Sequence, residues 1–305
     1  MAERVLRLGT RGSKLARWQA DWTAARLTQL GHQVEIVEIT TTGDANQSHD
    51  LGAIGTVGLF TKEIQRALLA DQVDLAVHSL KDLPTTPVEK LTLAAVPERE
   101  VVADALVSGI ARSIDELPQG ARVGTGSLRR RSQLLRIRPD LQLLDVRGNV
   151  DTRLRKLDAG DYDALVLAAA GLTRLGLQER IAQQIPFDQM LPAPGQGALG
   201  IECRADDTET LARLAPLNDP TARAAVIAER TMLAYVEGGC LAAIGAHATV
   251  EKGELSLVAR ILSSDGTECL AAEQSGAVDD AVAIGKRVGE ELLSLGARRL
   301  VQERR

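Results

Sequence analysis

Ala121-Arg122-Val123-Gly124-Thr125-Gly126-Ser127 reads as a short strand running into a Gly-Thr turn, and a basic helix follows from Leu128. The same order stands at the start of the chain. Arg4–Leu8 alternates as a strand does, Gly9-Thr10-Arg11-Gly12-Ser13 is the turn, and Lys14–Leu30 sets Leu15, Trp18 and Trp22 at helical spacing. A second pair of echoes lies downstream. Phe60–Ala70 reads as a helix and Val73-Asp74-Leu75-Ala76-Val77 as a strand closing on His78-Ser79-Leu80-Lys81-Asp82. In the later half, Val150–Ala159 is the helix, and Tyr162-Asp163-Ala164-Leu165-Val166-Leu167 is the strand, ending at Ala168–Gly171. Each half is therefore a βα-rich unit with one element order, which predicts an α/β fold with mostly parallel sheets. Two such units imply a cleft, with ligand contacts at the C-terminal ends of strands.

Outward from this repeat the chain changes character. Thr40–Gly58 carries four glycines and little periodicity, which favours a mobile lid over the cleft. Leu191-Pro192-Ala193-Pro194-Gly195-Gln196-Gly197 is the densest Pro/Gly stretch and reads as a hinge or crossover. The run Gly200-Ile201-Glu202-Cys203 then reads as a strand able to return to the first unit. From about Pro220 a third region begins. A helix over Ala222–Tyr235 breaks at Gly238-Gly239; strands over Ala246–Val250 and Leu255–Leu262 follow, then a helix over Asp279–Leu295, giving a small α+β domain.

Composition narrows the function classes. The 305 residues are 45% hydrophobic and 25% charged, ordinary for a soluble globular protein. A net charge of −5 and six scattered aromatics, 2% of the chain, argue against a nucleic-acid binder. The first ten residues lack an apolar core, so no secretory signal is expected, and the longest apolar stretch, Ala164–Leu172, is about half a membrane span. Three cysteines are too scattered for a disulfide framework, and four histidines show no metal-ligand spacing. The expectation is a cytoplasmic, metal-free protein.

Charge is concentrated over Arg122–Arg155, where nine arginines face three aspartates, a local +6. Ser127, Arg129, Arg130 and Arg131 open a predicted helix, whose free N–H groups favour anions, and arginine forks bind carboxylate or phosphate bidentately. With Arg147-Gly148-Asn149 as a second cluster, the expected ligand is small and polyanionic; a solvated basic face is the bland alternative. Arg11 and Ser13 hold the equivalent turn of the first unit, where Ser13 also serves as a helix cap. Lys81 and Asp82 close a strand, so that Asp82 could stabilise a developing cation or shuttle protons; a simple Lys–Asp turn before Pro84 is the alternative. Cys240 follows Gly238-Gly239, which can leave a thiol exposed on a loop; taken alone, a lone cysteine more often reads as an inert packed residue, and Cys203 and Cys269 fit that alternative better. Taken alone, these residues leave three readings open: an enzyme, a two-lobed non-enzymatic module binding a small polyanion, and a nucleic-acid binder using Arg122–Arg155.

With these segments in order, the chain resembles the hydroxymethylbilane synthase (porphobilinogen deaminase) family over nearly its whole length. The matching segments are Leu8–Ala16, Gly58–Glu63, His78–Pro84, Val123–Arg130, Arg147–Val150, Leu191–Arg204, and Glu229-Arg230 with Gly238-Gly239-Cys240. The resemblance implies two domains like type II periplasmic binding proteins around the cleft and a small C-terminal α+β domain. The divisions would be 1–97 with 197–217, 98–196, and 218–305. It implies a transferase of tetrapyrrole biosynthesis that joins four porphobilinogen molecules head to tail, releases ammonia and yields 1-hydroxymethylbilane. A dipyrromethane cofactor would be held by a thioether to Cys240. Asp82 would be the catalytic carboxylate, stabilising the cationic azafulvene formed as ammonia leaves. Ser79, Lys81, Thr125, Ser127, Arg129, Arg130, Arg147 and Gly148 would bind the cofactor, and Arg11, Ser13, Phe60, Arg153, Arg174 and Gln196 the substrate. No metal, nucleic acid or membrane is implied, and the family suggests a monomer. Two departures stand out. Members often carry a lysine in a Gly-Gly-Lys-Gly lid segment, where Val57 here directly precedes Gly58, and the cysteine loop continues Leu241-Ala242-Ala243-Ile244 without the usual proline. A lid with less charge and a less rigid cysteine loop are expected.

Overall fold

A computed structural model describes residues 4–40, 61–237 and 243–302. The expected lid, with Phe60, and the cysteine loop, with Cys240, lie outside the described residues. Strands β1 (Leu6–Thr10), β2 (Val34–Glu38), β3 (Leu75–Ser79) and β4 (Leu91–Ala95) come first. Then follow β5 (Asp104–Ser108), β6 (Arg122–Gly124), β7 (Gln142–Leu144), β8 (Ala164–Ala168), β9 (Gln183–Gln184) and β10 (Leu199–Arg204). The last are β11 (Ile244–Glu251), β12 (Glu254–Leu262) and β13 (Cys269–Ala277). The helices are α1 (Lys14–Gln29), α2 (Lys62–Leu69), α3 (Leu128–Ile137), α4 (Val150–Asp158), α5 (Ala169–Arg174), α6 (Thr208–Leu214), α7 (Pro220–Tyr235), α8 (Ala281–Ser294) and α9 (Ala297–Gln302). The chain divides into two compact units, 1–99 with 198–223, and 100–197 with 224–305.

The first unit is a five-stranded sheet in the order β2-β1-β3-β10-β4. Alternation along its strands sends side chains to both faces. Leu75 and Val77 join Leu6, Leu8, Ala20 and Leu27 on the face covered by α1, while Ala76 joins Ile64, Ala67 and Leu68 of α2 on the other. Each fully buried leucine contributes about 1.5–3 kcal/mol. The second unit repeats the plan as β7-β6-β8-β5-β9. Val123, Leu134 and Val166 meet on one face, and Leu154, Leu165, Leu167 and Leu172 on the other. Its remaining part is a three-stranded antiparallel sheet, β11-β12-β13, whose Ala246, Leu255 and Leu257 pack on Ala228 and Met232 of α7 and Ile284 and Val288 of α8.

The repeat read from the sequence extends to individual bonds. Arg7 in β1 donates its backbone N–H (2.8 Å), Nε (3.0 Å) and Nη2 (2.8 Å) to the Asp74 carboxylate, and Asp74 returns its N–H to the Arg7 carbonyl at 2.8 Å. Arg122 in β6 does the same to Asp163, at 2.8, 3.2 and 2.8 Å, with a return bond of 2.8 Å. Each aspartate directly precedes the strand that runs parallel beside its arginine, so the clamp fixes the register of one parallel pair per sheet.

Two expectations need correction. Neither sheet is mostly parallel: β10 runs antiparallel to β3 and β4, and β5 antiparallel to β8 and β9, so each sheet holds two parallel and two antiparallel pairings. The cause is that one strand in each sheet arrives as a crossover rather than through a βαβ step. The C-terminal sheet has a third strand, β13, that the pattern did not announce because it is mostly half-exposed. Leu191–Gly197, read as a hinge or crossover, leads into β10 of the first sheet and is almost wholly buried. Glu229 takes the Gly195 N–H at 2.7 Å, Gln196 donates to the Val102 carbonyl at 2.8 Å, and the Gly197 carbonyl accepts Arg174 at 2.6 Å.

Candidate functional site

In the first unit, β1 and β3 are parallel neighbours, so the chain leaves both at the same edge of the sheet. Ser13 Oγ accepts the Ala16 N–H at 3.3 Å and caps α1, with Arg11 half-buried beside it. Buried Gln19, further along α1, donates to Ser79 Oγ at 2.7 Å, where β3 ends. The chain then turns through one short 3-10 turn, Leu80–Asp82. Leu80 is fully buried and its N–H reaches the Ala198 carbonyl at 3.0 Å, which pins the turn. Pinning leaves Lys81 half-buried and Asp82 exposed to solvent. Beneath the turn, His78 Nε2 lies 3.2 Å from Glu202 Oε2, and Gln65 Nε2 reaches both oxygens of that carboxylate at 3.1 and 3.2 Å.

In the second unit, β6, β7 and β8 are parallel and end at one edge. The turn after β6 is tight: a Cβ on Gly126 would lie 3.0 Å from the Val146 carbonyl, so glycine permits the approach to the β7 exit. Thr125 is buried, its N–H bonded to the Leu144 carbonyl at 2.9 Å and its Oγ1 accepting the Ser127 N–H at 3.3 Å. Ser127 caps α3 by accepting the Arg130 N–H at 3.5 Å, the counterpart of Ser13. Arg129 and Arg130 turn inward to one buried carboxylate, Asp104, with Nη1 of Arg129 at 2.6 Å and Nη2 of Arg130 at 2.8 Å. Burial pushes the Asp104 carboxyl up, but the two guanidiniums outweigh it and hold the group well below the usual carboxylate range. Burial also lowers Arg129, against the pull of Asp104.

The other expected groups are spread along the same unit. Arg147 is exposed and pairs with Asp145 at 3.0 Å. Gly148 takes φ +107, and its carbonyl accepts Arg153 Nε at 2.8 Å. Arg174, at the end of α5, is buried, and desolvation brings it down to about 10, still charged at neutral pH. Gln196 joins the Asp104 cluster at 2.9 Å. Several arginines of the basic stretch serve the fold instead. Arg122 clamps Asp163, Arg131 bonds the Leu143 carbonyl at 2.9 Å, and Arg138 bonds Asp140 and the Ile114 and Leu117 carbonyls. Sequence reading missed Asp104 and Gln19, and gave no role to Glu229, although it stands in one of the matching segments. Gln19 did leave a signal, since Gln133 stands at the same distance behind Ser127 as Gln19 behind Ser13; Gln133 is also buried and bonds both backbone groups of Leu191.

These two edges offer one exposed carboxylate beside a lysine, and one set of guanidinium, hydroxyl and backbone donors suited to carboxylates. That donor set fits a ligand with several acid groups. Among the described residues, no helix is long and apolar enough to cross a membrane. Residues 6–212 match the family described as "Porphobilinogen deaminase, dipyromethane cofactor binding domain", and residues 223–294 match "Porphobilinogen deaminase, C-terminal domain". A porphobilinogen deaminase of Syntrophobacter fumaroxidans is 48% identical over 305 residues, 99% of each chain. One of Desulforudis audaxviator is 52% identical over 292 residues, covering 95% of this chain and 94% of its own. Among solved structures, an ABC-transporter periplasmic substrate-binding protein from Coxiella burnetii aligns loosely, with a TM-score of 0.45 and 16% identity over 72% of this chain and 94% of that one.

Proposed function

The chain belongs to the porphobilinogen deaminase family, and on that premise we propose how its own residues carry the reaction. It is a transferase of tetrapyrrole biosynthesis that condenses porphobilinogen units, with loss of ammonia, on a dipyrromethane cofactor. The family models and the curated relatives support this reading and not the non-enzymatic polyanion module. The single observation that carries the residue assignments is that each unit offers one strand edge with exposed or donor groups: in the first a solvent-facing Asp82 on a pinned turn, in the second a capped, arginine-rich turn at Thr125–Arg130.

When bound, the cofactor supplies the pyrrole carbon that starts the growing chain. Thr125, Ser127, Arg129, Arg130, Arg147 and the Gly148 turn hold its acid groups, together with Ser79 and Lys81 from the other edge. Cys240 is its thioether anchor. Arg11, Ser13, Phe60, Arg153, Arg174 and Gln196 receive the incoming substrate. Asp82 is the catalytic carboxylate: its negative charge would stabilise the positive charge that develops on the unit losing ammonia, and its oxygens would accept and return a proton at the terminal ring. Exposure suits it to that work, because a carboxylate that no side chain among the described residues holds keeps its acceptor lone pairs for the ligand. The division into 1–97 with 197–217, 98–196 and 218–305 is supported by the three sheets, one to each part. A monomer in the cytoplasm, acting on small molecules without nucleic acid, agrees with the net charge of −5 and the scattered cysteines.

Intact mass tests the reading. The purified chain is expected to exceed its sequence mass by about two pyrrole units, and Cys240→Ala to show no excess after incubation with porphobilinogen. An adduct of the same size on Cys240→Ala would overturn the anchor assignment.

A further inference from the structure

Asp104 is the first residue of β5, paired with Ala168 at the end of β8, and so lies at the strand edge that carries the arginines. Its side chain is 0% exposed, yet four groups converge on it. Arg129 Nη1 bonds Oδ2 at 2.6 Å; Arg130 Nε and Nη2 lie 2.9 and 2.8 Å from Oδ1; Gln196 Nε2 donates to Oδ1 at 2.9 Å. The same Arg129 Nη1 also donates to the Leu191 carbonyl at 2.6 Å, and Arg130 Nη1 to the Val166 carbonyl at 3.1 Å. Two adjacent guanidiniums, only 5% and 7% exposed, are thus clamped from behind by one carboxylate and two carbonyls.

The clamp is selective in what it uses. Both bonds of Arg129 pass through Nη1, and among the described residues this side chain makes no other hydrogen bond. Its Nε and Nη2 remain as an undonated pair, the parallel fork that matches the two oxygens of a carboxylate. One carboxylate against two guanidiniums also leaves one positive charge uncompensated in a largely dry site, where it is worth more than in water. A buried arginine pair with no such partner would be prohibitively costly.

We propose that Asp104 is a positioning residue: by gripping Arg129 through Nη1 alone, it turns the Nε/Nη2 fork of Arg129 toward a single carboxylate of the pyrrole chain. This rests on the assignment of Arg129 to cofactor binding made above. Asp104 touches neither cofactor nor substrate; it acts through the arginine, and Gln196 braces it from the buried crossover.

The test uses the full-length protein as purified, with three variants. Asp104→Glu keeps the charge but displaces the carboxylate, Asp104→Asn keeps the shape but removes the charge, and Arg129→Leu removes the fork. Each is scored for Tm, for the fraction of chains bearing the two-ring adduct, and for kcat/KM per adduct-bearing chain. Misplacement of a binding group by about 1 Å costs up to about 100-fold. A folded Asp104→Glu protein is expected to lose about that factor in adduct fraction or in kcat/KM per adduct-bearing chain, as is Arg129→Leu. A merely structural role would lower Tm and yield while leaving both the adduct fraction and kcat/KM per adduct-bearing chain at the parent values, and that result overturns the proposal. So does failure of both Asp104 variants to fold, which would make the residue one of the fold alone. If Arg129→Leu itself behaves as the parent, the cofactor assignment of Arg129 fails instead, and the two failures are told apart.

Discussion

Replacing Glu229 by glutamine asks how firmly the crossover is held. The Glu229 carboxylate is fully buried in α7; one oxygen accepts the Gly195 N–H at 2.7 Å and the other the Ala248 N–H at 2.9 Å. Glutamine has nearly the same shape, so packing is unchanged. One of its two ends must be an NH2 group, and whichever way the amide turns, that end meets a backbone N–H. One charge-assisted bond, worth about 1.5–3 kcal/mol, is lost, and a buried backbone donor left without an acceptor costs about 1–3 kcal/mol more. The expected loss is about 2.5–6 kcal/mol, which for domains of 150–250 residues lowers Tm by roughly 5–24 °C. Circular dichroism on heating at pH 7 reads this directly, with a urea titration as an independent measure. A fall in Tm below about 2 °C would refute the reasoning, because it would mean that the two backbone donors find other acceptors at no cost.

Asp82→Asn should leave Tm within about 2 °C, since the side chain is exposed, while turnover measured by porphyrin colour falls about 100- to 1000-fold; near-normal turnover would remove Asp82 from the reaction. Gly197→Ala places a side chain at φ +83 with its Cβ 2.5 Å from the Glu100 carbonyl oxygen. The backbone strain alone is about 1–2 kcal/mol before the clash is added, so an unchanged urea midpoint would contradict the geometry. Asp74 and Asp104 both titrate below their ordinary range in the folded protein, each despite burial, because arginines hold them ionised. Their contribution is therefore complete above about pH 4 and is lost as the pH falls below that, where the unfolded chain takes up protons first. Tm should be flat from pH 8 to 5 and drop steeply towards pH 3, and a Tm that rises on acidification would reverse the sign of the argument.

Local features of the fold were legible because they are encoded locally. A serine three residues before a backbone N–H caps a helix wherever it stands, and Ser13 and Ser127 both do so. The apolar run Gly200-Ile201-Glu202-Cys203 announced a buried strand, and it does return to the first sheet. Strand direction was not legible: alternation reports which face a side chain takes, and is the same for parallel and antiparallel neighbours. Nor was β13, whose segment CLAAEQSGA sits at the edge of its sheet and buries little. The site divides in the same way. Asp82 and the Thr125–Arg130 turn stand in contiguous motifs, whereas Asp104 is an unremarked first residue of an apolar strand, and its partners lie 25, 26 and 92 residues away. The basic stretch was read as one anion-binding surface. The structure shows that its charge is shared, with Arg122, Arg131 and Arg138 bonded to carbonyls and aspartates that hold sheet and loops together.

The order of strands in the first sheet also bears on how the chain is made. β10 lies between β3 and β4, and among the described residues β4 has no other strand beside it. During synthesis β4 leaves the ribosome long before its neighbour, with the whole of residues 100–197 to be translated in between. At about 5–20 residues per second that interval lasts roughly 5–20 seconds. For that time β3 presents an open edge, β4 an unpaired backbone, and Asp74 lacks the Arg204 guanidinium that later reaches it at 3.2 Å. The nascent first unit is thus a waiting template, finished by a strand that follows the second in chain order, and any pause in translation ahead of residue 199 prolongs its exposure to other chains.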